Sequence, residues 1–209
     1  MQGIDISHHN APIDWPNLDP ATDFVIIKAT DGHSVDKLYA NSMAACRALA
    51  GPTVGSYHWF QPAIPPTAQF NTIVNTIDQR SGDLPIALDI EDQYDSTGKV
   101  LTHAMGPGDV PNVAALVSMI YAKYGFYPMI YTGKYVWNAM GNPNVVGSVT
   151  FADCPLWIAQ YTGAAAPSIP LPWLAWRIWQ YSSNGKVAGL PGNTDMDRTL
   201  DDLADIRVP

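Results

Sequence analysis

The chain has 209 residues, 47% of them hydrophobic, and a formal net charge of −8 at pH 7. Its 11 basic residues are scattered without a run, which excludes nucleic acid as the main partner, because phosphate neutralisation needs clustered Lys and Arg. No apolar run approaches the length of a membrane span, and Cys46 and Cys154 make neither a disulfide framework nor a metal-ligand spacing.

The opening Met1-Gln2-Gly3-Ile4-Asp5 lacks the basic and apolar regions of a signal peptide. Residues 3–7 read as a first strand, with Asp5 near its end. His8-His9-Asn10 follows; neighbours on an extended chain point apart, so rim or loop hydrogen bonding is expected there and no metal. Residues 24–29 form a second apolar strand closed by Lys28. A buried ammonium needs a counter-ion, so a carboxylate at or just under the strand end is its expected partner. Tyr39, Met43, Cys46 and Ala50 recur at helical spacing and stop at Gly51-Pro52. Residues 53–60 give a third strand, in which His58 is expected to be a hydrogen-bonded core histidine and Tyr57, on the opposite side, to reach the rim. Phe70, Ile73, Val74 and Ile77 make the next amphipathic face.

In Leu84-Pro85-Ile86-Ala87-Leu88-Asp89-Ile90-Glu91-Asp92, two acids stand at i and i+2 within an apolar run, so as a strand they face the same side. A strand buried on both faces has no cheap place for two acids, which assigns them to a strand end opening into a pocket. Two such neighbours raise each other's pKa and suit general acid chemistry. The same acids equally read as the start of a polar loop, Glu91-Asp92-Gln93. Beyond them, Val113, Leu116, Val117, Ile120, Tyr121 and Tyr124 form the clearest helical face, opened by Pro111 and ended by Gly125. Strands are expected at 129–132, 156–159, 177–181 and 194–197, the last carrying Asp195. After Tyr161 the chain turns Ala- and Pro-rich and loses its helical faces.

This alternation predicts an α/β fold: a parallel TIM-like barrel of about eight strands with a helix-poor last third, one domain over residues 1–209. At the C-terminal rim of such a barrel, Asp5, Asp89, Glu91 and Asp195 converge, because the first and eighth strands adjoin on closure.

The segments Gly3-Ile-Asp-Ile-Ser7, Phe24 to Gly32, Gly55-Ser-Tyr-His-Trp-Phe60, Leu88-Asp-Ile-Glu91, Ile130-Tyr-Thr-Gly133, Leu156 to Tyr161 and Trp179-Gln-Tyr-Ser182, followed by Asp195, resemble the glycoside hydrolase family 25 lysozymes in family order. The resemblance implies a barrel of five βα units and three strands. It also implies cleavage of the β-1,4 bond between N-acetylmuramic acid and N-acetylglucosamine in peptidoglycan. Glu91 matches the general acid, Asp89 its acidic strand partner, and Asp5 and Asp195 the other two active-site carboxylates. Asp197 stands where members often carry Asn, and Asp31 where Glu is frequent; neither matches a catalytic position. Glycosidic cleavage needs an acid for the leaving oxygen and negative charge for the oxocarbenium-like transition state. The spacing of Asp89 and Glu91, with Cα atoms about 6.5–7 Å apart on a strand, does not choose between retaining, inverting and substrate-assisted routes. Asp89 suits the orienting of an acetamido group in the last of these.

Tyr57, Tyr131, Gln180 and Lys28 are the expected substrate contacts, while most of Trp59, Trp157, Trp173, Trp176 and Trp179 are expected to be core. No cofactor is expected. The partner is a peptidoglycan glycan strand, with no nucleic acid or membrane, and the enzyme is expected to be a monomer. It is expected to act at the bacterial wall, released as a phage endolysin or exported by a route that this sequence does not encode. A barrel glycosidase on chitin-like N-acetylated glycans is the nearest competing reading, although the longer Asp-x-x-Asp-x-Asp-x-Glu pattern is absent. A catalytically silent carbohydrate-binding barrel is the other, disfavoured because a neutral glycan needs no concentration of negative charge.

Overall fold

The computed structural model describes residues 1–49, 51–92 and 104–209; Ala50 and Gln93, which entered the sequence reading, lie outside them. Eight strands close a barrel: β1 (Gln2–Ile6), β2 (Phe24–Asp31), β3 (Thr53–Trp59), β4 (Ala87–Asp89), β5 (Met129–Gly133), β6 (Leu156–Ala159), β7 (Ile178–Gly185) and β8 (Thr194–Arg198). Each pairs with its sequence neighbours, and β8 returns to β1.

The expectation of a wholly parallel barrel is corrected at one strand. The pairings from β1 through β7 are parallel, but β8 runs antiparallel to both β7 and β1. Residues 186–193 are too few for a parallel crossover, which takes about a dozen or more residues, so the chain doubles back as a hairpin. The fourth strand is also shorter than expected: it stops at Asp89, leaving Glu91 just beyond it.

Four α-helices follow β2 to β5: α1 (Tyr39–Ala48), α2 (Pro66–Thr76), α3 (Val110–Tyr124) and α4 (Lys134–Ala139). After β1, two 3-10 turns, His8–Asn10 and Trp15–Asn17, stand in place of an α-helix. Residues 160–177 contain no helix, as the prolines there require. Helix α3 shows the sequence logic well. Pro111 occupies its first turn, where a missing N–H is harmless, and Gly125 ends it at φ 78°, donating its N–H to Tyr121 O.

Two apolar clusters follow from the strand period of two. Outward residues such as Val25, Ile27, Leu88 and Ile130 pack under the helices, meeting Val113, Leu116, Val117 and Ile120 of α3. Inward residues Phe24, Ile26, Ala87, Met129 and Ile178 fill the barrel, joined by Leu203 and Ile206 of the C-terminal segment. A Cβ on Gly3 would run into the Phe24 ring, so the absence of a side chain there lets that ring fill the interior. Above this apolar filling, the next inward positions are polar: Asp5, Tyr57, Asp89, Tyr131 and Gln180.

Candidate active site

Those side chains floor a pocket of about 230 Å³ at the mouth of the barrel, and Glu91, Asp195, Trp59, Trp157 and Tyr161 complete its lining. Four acids thus meet from three distant parts of the chain. Asp5 comes from β1, Asp89 is the last residue of β4, and Glu91 follows two residues on. Asp195 arrives differently from the expectation. Because β8 is antiparallel, it lies near the beginning of its strand, and that end sits at the same rim, with Asp195 directly opposite Asp5.

The floor is tied together by hydrogen bonds. Gln180 Nε2 donates to Asp5 Oδ2 at 2.6 Å, while its Oε1 accepts from the hydroxyls of Tyr131 at 3.0 Å and Tyr161 at 2.8 Å. The Trp157 indole packs edge-on against Tyr131, ring centres 4.6 Å apart, and donates its N–H to Asp197. Asp89 Oδ1 receives no hydrogen bond from any described residue. A second cavity, about 240 Å³, adjoins the first. Glu91, Tyr131 and Tyr161 border both, and Tyr135, 79% exposed, stands on the outer side.

Burial is the main force on the acids' protonation, and their mutual repulsion adds to it. It holds the pKa of Asp5 and of Asp89 well above the ordinary carboxyl value, with Asp197 and Asp195 adding to the first and Glu91 to the second. Glu91 is pushed up to about 7 by burial; Lys28 opposes this, while Asp195 and Asp92 reinforce it. Asp195 rises to about 6. The phenols of Tyr57 and Tyr131 are also driven up, by burial and then by the surrounding acids, so they remain hydrogen-bond donors.

Of the expected substrate contacts, Tyr57, Tyr131 and Gln180 line the pocket, and Lys28 does not. Lys28 is buried and paired with a carboxylate, that of Asp31, as a buried ammonium requires. Gln180 spends its side chain on Asp5 and two tyrosines. His58 is wholly buried between Thr30 Oγ1 and Gln69 Oε1, at 2.7 and 2.9 Å, and burial lowers its pKa to about 4: a core histidine. His8 Nδ1 lies 2.6 Å from Asp36 Oδ2, in loop hydrogen bonding. Both cysteines are free and buried. Among the described residues no group of three or more His, Cys, Asp or Glu is arranged to hold a metal ion.

Sequence reasoning missed three pocket residues, Trp59, Trp157 and Tyr161, and the buried Asp197 beneath them. Trp59 and Trp157 were expected mostly in the core; strand parity places Trp59 on the side of Tyr57, a signal that was available, whereas no assigned residue of β6 oriented Trp157. Tyr161 lies in a loop with no periodicity to orient it. Asp197 shares the inward parity of Asp195 on β8, a signal that was available.

The model of the family described as glycosyl hydrolases family 25 matches residues 4–190. Lysozyme M1 of Streptomyces globisporus is 32% identical over 211 residues, covering 95% of this chain and 67% of that protein. N,O-diacetylmuramidase of Arthroderma benhamiae is 28% identical over 196 residues, covering 90% of this chain and 80% of its own. The crystal structure of the bacterial lysozyme from Streptomyces coelicolor matches with a TM-score of 0.84 at 28% identity, covering 99% of this chain and 94% of that one. The family match begins within β1 and extends to the approach to β8, taking in Asp5, Asp89 and Glu91. The chain belongs to the glycosyl hydrolases of family 25.

Proposed function

We propose that the protein is a peptidoglycan hydrolase, an N-acetylmuramidase that cuts the β-1,4 bond between N-acetylmuramic acid and N-acetylglucosamine. The observation that carries this reading is the gathering of Asp5, Asp89, Glu91 and Asp195 in one pocket of a family 25 barrel. The relatives' names, lysozyme and N,O-diacetylmuramidase, point to the same substrate class.

Glu91 is the general acid. Its pKa of about 7 keeps the carboxyl protonated on the acidic side of neutrality, ready to protonate the leaving glycosidic oxygen. Asp89, buried with one oxygen unclaimed, orients and polarises the acetamido group of the sugar in the closed pocket. Asp5 and Asp195 supply negative charge toward the developing oxocarbenium ion. A general acid stands between the two sugars it separates. Glu91 borders both cavities, so the acid-lined pocket receives the sugar that becomes cationic and the cavity beside Tyr135 receives the departing one. The aromatic borders suit the apolar faces of pyranose rings.

The decisive experiment follows turbidity of purified bacterial walls and assays the new reducing ends. Muramic acid ends with loss of turbidity support the reading. Glucosamine ends, or cleavage of chitin oligomers with intact walls, refute it.

A further inference from the structure

Beneath the four pocket acids lies a fifth. Asp197 follows Asp195 by two residues on β8, so both point into the barrel, and Asp197 is 0% exposed. The antiparallel ladders place it opposite Gly3 of β1 and Gln180 of β7. Its Oδ1 accepts the Trp157 indole N–H at 2.7 Å, whereas Oδ2 is enclosed and no N–H or O–H of a described residue reaches it. The remaining hydrogen-bonding neighbour of this carboxyl is the carboxyl of Asp5, whose own Oδ2 takes Gln180 Nε2 at 2.6 Å. Two carboxylates in contact repel strongly in a medium of low dielectric; two that share one proton form a short, charge-assisted hydrogen bond.

We propose that Asp197 is a positioning residue that shares one proton with Asp5 beneath the pocket, so that the pair carries one negative charge and Asp5 keeps a fixed orientation. The surroundings favour the shared proton. The titratable groups facing the pair are Asp195 on the same strand, Asp89 and Glu91 across the pocket, and the phenols of Tyr57, Tyr131, Tyr161 and Tyr181, with Arg198 acting on Tyr181. None of the pocket-lining residues is a cation, and Lys28 acts on Asp89 and Glu91. Burial raises the pKa of Asp197 to about 7 and that of Asp5 well above the usual range. When rising pH removes the proton, a second charge appears where nothing neutralises it, and the hydrogen bond between the two carboxyls is lost. The catalytic consequence rests on the glycosidase reading of Asp5; the proton itself is measurable without turnover.

Asp197→Asn keeps the shape, the acceptor for Trp157 and a donor toward Asp5, but does not titrate. Asp197→Val removes acceptor and donor together. Thermal melts of the wild type and the Asn variant, from about pH 4 to about pH 8, test the proton directly. In that range the folded wild type binds a proton that an ordinary unfolded Asp releases, so wild-type stability falls as pH rises toward the folded pKa. The Asn variant is expected to gain several degrees of Tm relative to wild type between the two ends of the range. Infrared difference spectra at the acidic end are expected to show a protonated buried carboxyl in the wild type that the Asn variant lacks. In wall lysis, Asn is expected to recover about tenfold or more of the rate that Val loses, the size of one buried hydrogen bond. A Tm difference that stays flat across the range, or a carboxyl band unchanged in the Asn variant, overturns the proposal. A wild type that folds and shows both signatures but lyses no wall overturns the functional reading and leaves the shared proton standing.

Discussion

Lys28 Nζ lies 2.9 Å from Asp31 Oδ2, an ion pair three residues apart across the irregular end of β2. Asp31 is steadied from its other oxygen by Gln61 Nε2 at 2.6 Å, and the ammonium also covers the face of Trp59, 4.0 Å from the ring centre. The cation therefore stands behind a pocket wall, and its field favours the ionised forms of Asp89 and Glu91. Lys28→Met removes that field. Glu91 then stays protonated to higher pH, and the alkaline limb of the profile of kcat/KM against pH is expected to move upward. An unmoved limb would show that the charge of Lys28 is spent wholly on Asp31.

Glu91→Gln keeps shape and removes the transferable proton. General acid catalysis contributes about 10²–10⁴-fold, so wall lysis is expected to fall by at least that order while the thermal melt shows a folded protein. Asp89→Asn is expected to be similarly severe, because an amide cannot stabilise the charge that develops on an attacking acetamido group. Near-wild-type lysis by the Glu91 variant would remove the assignment of the acid.

The pocket acids also set a pH dependence of stability. Asp5, Asp89, Glu91 and Asp195 all have folded pKa values above their unfolded ones. Each binds a proton in the folded protein that the unfolded chain releases first, so stability declines as pH rises from the ordinary carboxyl range through about 6 to 7. The melting temperature is expected to be highest on the acidic side of neutrality. Glu91→Gln is expected to melt several degrees above wild type on the alkaline side, the usual exchange of activity for stability at a strained site. A Tm that climbs steadily from pH 5 to 8 in wild type would contradict the direction of these shifts.

Tyr135, 79% exposed beside the outer cavity, tests the polarity of the groove. Tyr135→Ala is expected to raise KM for wall glycan several-fold with little change in kcat, and to leave a glycosyl fluoride, whose small leaving group does not reach the outer cavity, unaffected. Equal losses on both substrates would place Tyr135 in the fold rather than in the substrate path.

The parts of the fold set by local pattern were legible from the residues. Periods of two and 3.6 located the barrel strands and helices α1 to α3, though not the six-residue α4, and the i, i+2 spacing of Asp89 and Glu91 located half of the pocket acids. The direction of β8 was not read, although the short link after Gly185 carried the information, because the strand's direction depends on connection length and not on its own residues. That one direction also moves Asp195 from the end of its strand to the beginning while keeping it at the rim. Tyr161 was illegible for a different reason: a loop has no repeat to say which side a residue faces, and only the hydrogen bond to Gln180 fixes it.

The hydrogen bond from Gln180 to Asp5 joins residues 175 positions apart, and β8 then seals the ladder to β1. During synthesis β8 emerges after every other barrel strand. A nascent chain thus carries the Asp89 and Glu91 pair long before Asp195 and Asp197 exist, and the long-range closure that unites them is the slow, entropically opposed step of folding. Lytic power is consequently withheld until β8 has emerged.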